Sequence, residues 1–219
     1  RFREINGWSS YEVLLLYALN LCSYALASFF FASPSFRLSI MIKDGTFDEI
    51  LTKPLNSFLY LVCREFNSGY LSHLLLSLVA IIISILHLNI DLSTSHVLFF
   101  ILIIISGALI QGAALLITAI PSFWIVETGS LKDVLFFQIR NFIRYPISIY
   151  PSFIQILLTF VLPYSFINFF PVQFFLDKND FSLFSPIFQF LSPAVGLGMF
   201  ALAYAFWLLG INNYKSTGS

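Results

Sequence analysis

The chain has 219 residues, of which 58% are hydrophobic and only 10% charged, with 27 phenylalanines and a mean hydropathy of +0.88. Soluble domains carry roughly 25% charged residues, so this composition belongs to the membrane class. Eleven basic and eleven acidic residues cancel to zero net charge, which argues against nucleic acid as a partner, since such a protein needs a basic patch.

The first residues, RFREINGWSS, are polar and enter an apolar run without the basic-then-apolar ramp of a secretory signal. A hydrocarbon core of about 30 Å needs about 20 helical residues, and five stretches approach that length: 12–32, 70–88, 97–120, 151–170 and 193–211. The expected fold is an all-α integral membrane protein, one domain over 1–219, with five transmembrane helices plus short interfacial and coupling helices.

The first of these helices carries Tyr17, Asn20 and Tyr24 on one face of a 3.6-residue period. An amide in hydrocarbon wants either a polar partner on another helix or a water-lined space, so the face reads as a helix contact or as the wall of a translocation path. Pro34 predicts a helix stop after Ala32, because proline lacks a donor and disfavours helical geometry at the residue before it. Phe36, Leu38, Ile40 and Met41, alternating with Arg37 and Lys43, then suit a short interfacial helix.

The segment 36–65 stands out because it alone places both charge signs between long apolar runs. Asp44–Gly45 signals a turn, and Thr52 before Lys53–Pro54 reads as a helix start. The expectation is a compact knob of short helices. Cys22 and Cys63 form no CxxC pair and read as packing residues, and His73, His87 and His96 make no metal-ligand spacing.

Ala108 and Gly112, and later Ala194/Gly198 and Ala201/Ala205, have the small-xxx-small spacing of close helix packing. The stretch 121–150 contains Lys132, Arg140 and Arg144 and reads as a polar connection, with Trp124 and Tyr145 as interfacial anchors. Gln155 and Thr159 add polar groups to the fourth predicted span. From 168 to 192 an apolar, proline-punctuated run predicts a re-entrant or interfacial hairpin with the tip Asp177–Asp180 in water.

Lys and Arg accumulate in cytoplasmic loops. That rule puts the 36–65 segment, the 121–150 connection and the C-terminus in the cytoplasm, and the N-terminus outside. An outside start without a signal leads to the expectation of one further helix upstream, which gives six spans.

Gly7–Trp8 with Glu12, then Gly45, Phe47–Asp48, Leu51, Lys53–Pro54–Leu55, Phe123–Trp124, Tyr145–Pro146, Ile149–Tyr150–Pro151, Pro163 and Pro171, in that order, resemble the six-span ABC-2 type transporter permeases. The resemblance implies an export permease that dimerises and works with a separate cytoplasmic ABC ATPase subunit. It also implies that 36–65 is the coupling segment, with Gly45, Phe47, Asp48, Glu49, Leu51, Lys53 and Pro54 docking on that subunit. The chain has no GxxxxGK[ST] phosphate loop, so no cofactor is expected on it, and ATP with Mg belongs to the ATPase. The expected cargo is amphipathic or lipid-like, in an inner or plasma membrane. Alternatives are a membrane scaffold without transport, or a lipid enzyme built on His73 with Glu65 or on Glu127 with Asp133.

Overall fold

A computed structural model describes residues 4–91, 93–125, 128–181 and 183–215. The short strands β1 (Glu4–Ile5) and β2 (Trp8–Ser9) pair antiparallel across an Asn6–Gly7 turn. Both turn residues have positive φ, 49° and 77°, the geometry that Asn–Gly accepts at least cost. Ser9 and Glu12 then cap α1 (Ser10–Lys43) reciprocally, the Glu12 carboxylate accepting from the Ser9 amide at 2.6 Å.

Helix α1 continues through Pro34 for about two and a half further turns, where the sequence predicts a stop and a separate interfacial helix. Proline costs a hydrogen bond and crowds the preceding turn. Packing overrides that cost here, because Pro34 is itself buried and the following turns sink Leu38 and Met41 into a second hydrophobic cluster.

Gly45, with φ at 74°, turns the chain into α2 (Phe47–Leu51) and α3 (Ser57–Arg64). Thr52 does not start a helix; it closes α2, its hydroxyl donating to the Glu49 carbonyl at 2.8 Å, while Asn56 caps α3. Then follow α4 (Leu71–Leu88) and α5 (Thr94–Ala119). After α6 (Gly129–Lys132) come a π-helical turn at Asp133–Gln138, α7 (Ser152–Ile156), α8 (Phe169–Phe175) and finally α9 (Ser192–Asn213).

Four of these helices, with their terminal turns, are long and apolar enough to cross a membrane: Ser10–Lys43, Ser68–Leu88, Thr94–Phe123 and Ser192–Asn213. Helix α5 lies between α1 and α9, and α4 packs against α1. Glycine makes the close approaches possible, since a Cβ on Gly107 would stand 2.5 Å from Ser23 Oγ and one on Gly196 would stand 2.8 Å from the Ser106 carbonyl oxygen. In α9 the inward residues are Ser192, Gly196, Ala203, Trp207 and Gly210, so the predicted packing stripe of Ala194, Gly198, Ala201 and Ala205 faces outward instead.

The main departure from the sequence reading lies between α5 and α9. The stretch 129–150, expected as a polar connection, runs back along α1: Lys132 donates to the Ser35 carbonyl, Arg140 lies over Tyr24, and Ser148 reaches Asp180 beside the N-terminal hairpin. From Ser35 to Leu16 on α1 is about 28 Å at 1.5 Å per residue, close to one hydrocarbon thickness. The expected straight helix over 151–170 is absent. Pro163 breaks the run, and the two halves, Ser152–Val161 and Tyr164–Phe175, are bent by 79°.

This bent pair is re-entrant. It starts after Tyr150 near the N-terminal hairpin and reaches its apex near Tyr164, whose hydroxyl donates to the Leu135 carbonyl at 3.1 Å. It then returns along α8 until Phe169 meets Trp8, ring centroids 5.8 Å apart. The bundle thus has an N-terminal end, with the β hairpin, the α4–α5 connection and the 177–181 loop, and a knob end, with α2, α3 and the close of α9.

Candidate coupling knob and interior polar residues

The knob is rooted by aromatic packing. Phe47 and Ile50 are fully buried, and the Phe47 ring meets Phe123, Trp207 and Tyr214 at centroid distances of 5.3, 6.1 and 5.2 Å. Phe58 of α3 adds edge contacts with Tyr204 and Trp207 of α9, both at 5.5 Å. Phe47, expected from the sequence as a docking residue, is therefore with Ile50 the root of the knob and not its outer surface.

The outer surface runs from Leu51 to Asn56. Leu51 is 39% exposed and Leu55 65%, with Lys53 and Pro54 between them and Leu59 of α3 beside them at 60%. Charges brace this surface: Glu49 lies 4.0 Å from Lys53 and 3.5 Å from Arg64, and buried Glu65 bonds Arg37 of α1 at 2.5 Å. Asp48 faces Tyr214 from the inner side. Burial first, and that carboxylate second, push the Tyr214 phenol up to about 12, so it stays protonated at neutral pH.

Of the sequence-predicted path residues, Asn20 is buried, and Gln111 of α5 donates to its carbonyl at 3.1 Å and its side-chain oxygen at 3.3 Å. This is a helix-to-helix hydrogen bond, the blander of the two readings. Gln155 donates to the Tyr150 carbonyl at 2.8 Å, and Thr159 to Ser165 at 3.4 Å, so both serve the fold of the re-entrant pair. Tyr17 and Tyr24 do share a face, which meets Arg140, Arg144 and Tyr145 of the return limb.

The 177–181 loop is not a free tip, because only Asp177 and Asn179 point outward. Asp180 accepts from the Trp8 indole at 2.8 Å and from Ser148 at 2.5 Å, while Lys178 donates to Glu12 at 2.9 Å and to the Gly7 carbonyl at 2.8 Å. Sequence reasoning found these residues without their partners, three of which, Trp8, Glu12 and Gly7, lie more than 160 positions away.

The alternative catalytic pair of His73 and Glu65 does not assemble. Glu65 is held by Arg37 and Arg64, and His73 packs against the rings of Tyr24 and Tyr70. The second alternative, Glu127 with Asp133, falls on Glu127, which lies outside the described residues.

Four long apolar helices, an irregular return limb and a re-entrant pair above a rooted knob define a multi-pass membrane protein of all-α class. The family model described as ABC-2 family transporter protein matches residues 1–218, and the chain belongs to that family. Comparisons with curated proteins and with solved structures gave no match. The chain is therefore a transport permease of ABC type.

Proposed function

We propose that this permease is the membrane subunit of an ATP-driven exporter of amphipathic cargo, and that a separate ABC ATPase docks on the 36–65 segment. One observation carries this reading: an exposed surface, Leu51 to Asn56, stands on a root whose Phe47 and Phe58 are embedded in the end of α9. Apolar residues at the centre of a charged rim are what a protein interface uses. Here Leu51 and Leu55 supply the centre, with Glu49, Lys53 and Arg64 as rim.

The knob end keeps Arg37, Lys43, Lys53, Arg64 and Lys132, which supports a cytoplasmic knob and C-terminus by the positive-inside rule. ATP and Mg act in the ATPase, and their energy reaches this chain as a displacement of the knob. The outward stripe of Ala194, Gly198, Ala201 and Ala205 favours pairing of α9 with a second permease subunit.

Copurification in mild detergent tests this reading, comparing the wild type with Leu51→Arg and Leu55→Arg. The wild type retains a nucleotide-hydrolysing subunit, and both variants lose it at unchanged melting temperature. Loss of neither, or absence of any such subunit from the wild type, rejects the reading in favour of a membrane scaffold.

A further inference from the structure

Among the described residues, Arg140 and Arg144 differ from the cations that a carboxylate or carbonyl holds. Lys132 is held by the Ser35 carbonyl, Lys178 by Glu12, and Arg37 and Arg64 by Glu65. Among the described residues no carboxylate forms a salt bridge with Arg140 or Arg144. Yet Arg140 sits on the return limb opposite the middle of α1, its guanidinium 3.7 Å from the centroid of the Tyr24 ring and 5.6 Å from that of Phe136.

An arginine at membrane depth is costly unless it is paired or opens onto a polar space. Stacking on a tyrosine recovers only part of that cost, and it leaves the edge of the guanidinium plane, where its donors lie, free to bond. Four residues on, toward the N-terminal end, Arg144 lines a cavity of about 430 Å³ with Tyr17, Tyr145, Ser10, Val13 and Leu14. The pair therefore offers two planar cations at i, i+4, two phenol-bearing rings on the facing helix, and an apolar flank on α1. The π-helical turn at Asp133–Gln138, just before Arg140, is a distortion of the kind that gathers at functional sites.

We infer that Arg140 and Arg144, with Tyr17 and Tyr24, form a binding site for the phosphate head of a lipid-like amphiphile whose tail lies along Val13 and Leu14. Phosphate suits this geometry because its oxygens accept from two guanidinium forks at once. Choline or an amine has nothing to bind here except the ring faces, and the cations repel it. The site does not depend on ATPase docking, so it stands or falls separately from the coupling knob.

The test uses the full chain purified in dodecyl maltoside and titrated with dodecyl phosphate, inorganic phosphate and dodecyltrimethylammonium. In parallel, native mass spectrometry counts bound phosphatidylglycerol against phosphatidylcholine. The expected result is saturable binding of dodecyl phosphate and a preference for phosphatidylglycerol, with each of Arg140→Gln and Arg144→Gln weakening both by about tenfold. Competition by inorganic phosphate at similar concentration supports the phosphate site and assigns it to free phosphate instead of a lipid head.

Arg144 is exposed, so Arg144→Gln keeps the test valid if Arg140→Gln fails to fold. Equal binding of dodecyltrimethylammonium and dodecyl phosphate overturns the inference. So does an unchanged lipid preference in a folded Arg140→Gln/Arg144→Gln double variant.

Discussion

The ring of Phe47 stands edge-on to the indole of Trp207, centroids 6.1 Å apart and planes at 75°, so the first helix of the knob and the last turns of α9 share one aromatic cluster. Both side chains are fully buried. Phe47→Ala leaves a cavity in that cluster and is expected to cost roughly 3–5 kcal/mol. Leu55→Ser, on the exposed side of the same knob, should change stability by no more than about 0.5 kcal/mol. Thermal unfolding in detergent distinguishes the two, and similar losses would mean that the knob is not rooted as described.

Gly196 and Gly198 make a matched pair for the packing of α9. A Cβ on Gly196 meets the Ser106 backbone, whereas one on Gly198 meets nothing within 4 Å. Gly196→Ala should destabilise by about 1–3 kcal/mol through overpacking. In the monomeric chain Gly198→Ala should be neutral or mildly stabilising, because alanine is the better helix former. Melting temperatures of the two variants decide, and a reversed order would refute the helix register.

Asn168 ties three segments together. Its amide donates to the Leu16 carbonyl at 3.0 Å and to the Ile143 carbonyl at 2.7 Å. Asn168→Leu removes both bonds and should cost about 1–3 kcal/mol for the acceptors left bare. Hydrogen exchange should then rise in 141–150 and 164–175, while α4 keeps its protection.

Trp8 donates to Asp180 from a fully buried position, with the Lys178 ammonium 4.5 Å from its ring centroid. Asp180→Ala strands the indole N–H and is expected to release the 177–181 loop, seen as faster proteolysis there and a shift in Trp8 emission. Asp180→Asn keeps an acceptor and should lie between the variant and the wild type. Unchanged cleavage in Asp180→Ala would show that Lys178 and the Gln173 hydrogen bonds to the Asp180 backbone suffice to hold the loop.

The helices legible in the sequence are those that lipid selects by length and apolarity: α4, α5, α9 and the first two thirds of α1. The extension of α1 past Pro34 was not legible, because its reward is burial of Leu38 and Met41 against α2, α3 and α5, contacts that no local rule contains. The return limb was misread for a related reason. Lys132, Arg140 and Arg144 mark a water-exposed connection when counted as charges, yet the fold covers two of them with a carbonyl and an aromatic ring. Irregular helical geometry at Asp133–Gln138 also erases the 3.6-residue period that would have announced the limb.

In the knob, the position of the turn was legible from Gly45, and the exposed tip from Lys53–Pro54. Which apolar residues turn inward was not, because a five-residue helix has too few turns to display a face. The path residues Asn20, Gln155 and Thr159 stand out in the sequence by polarity alone, and polarity also serves internal hydrogen bonds.

One contact gives α9 a reach beyond its own packing. The hydroxyl of Ser192, its first residue, donates to the Phe166 carbonyl at 2.8 Å, next to the apex of the re-entrant pair. At the opposite tip Trp207 and Tyr214 grip Phe47. A helix of 22 residues spans about 33 Å, so one continuous element joins the aromatic root of the knob to the turn at which the re-entrant pair reverses.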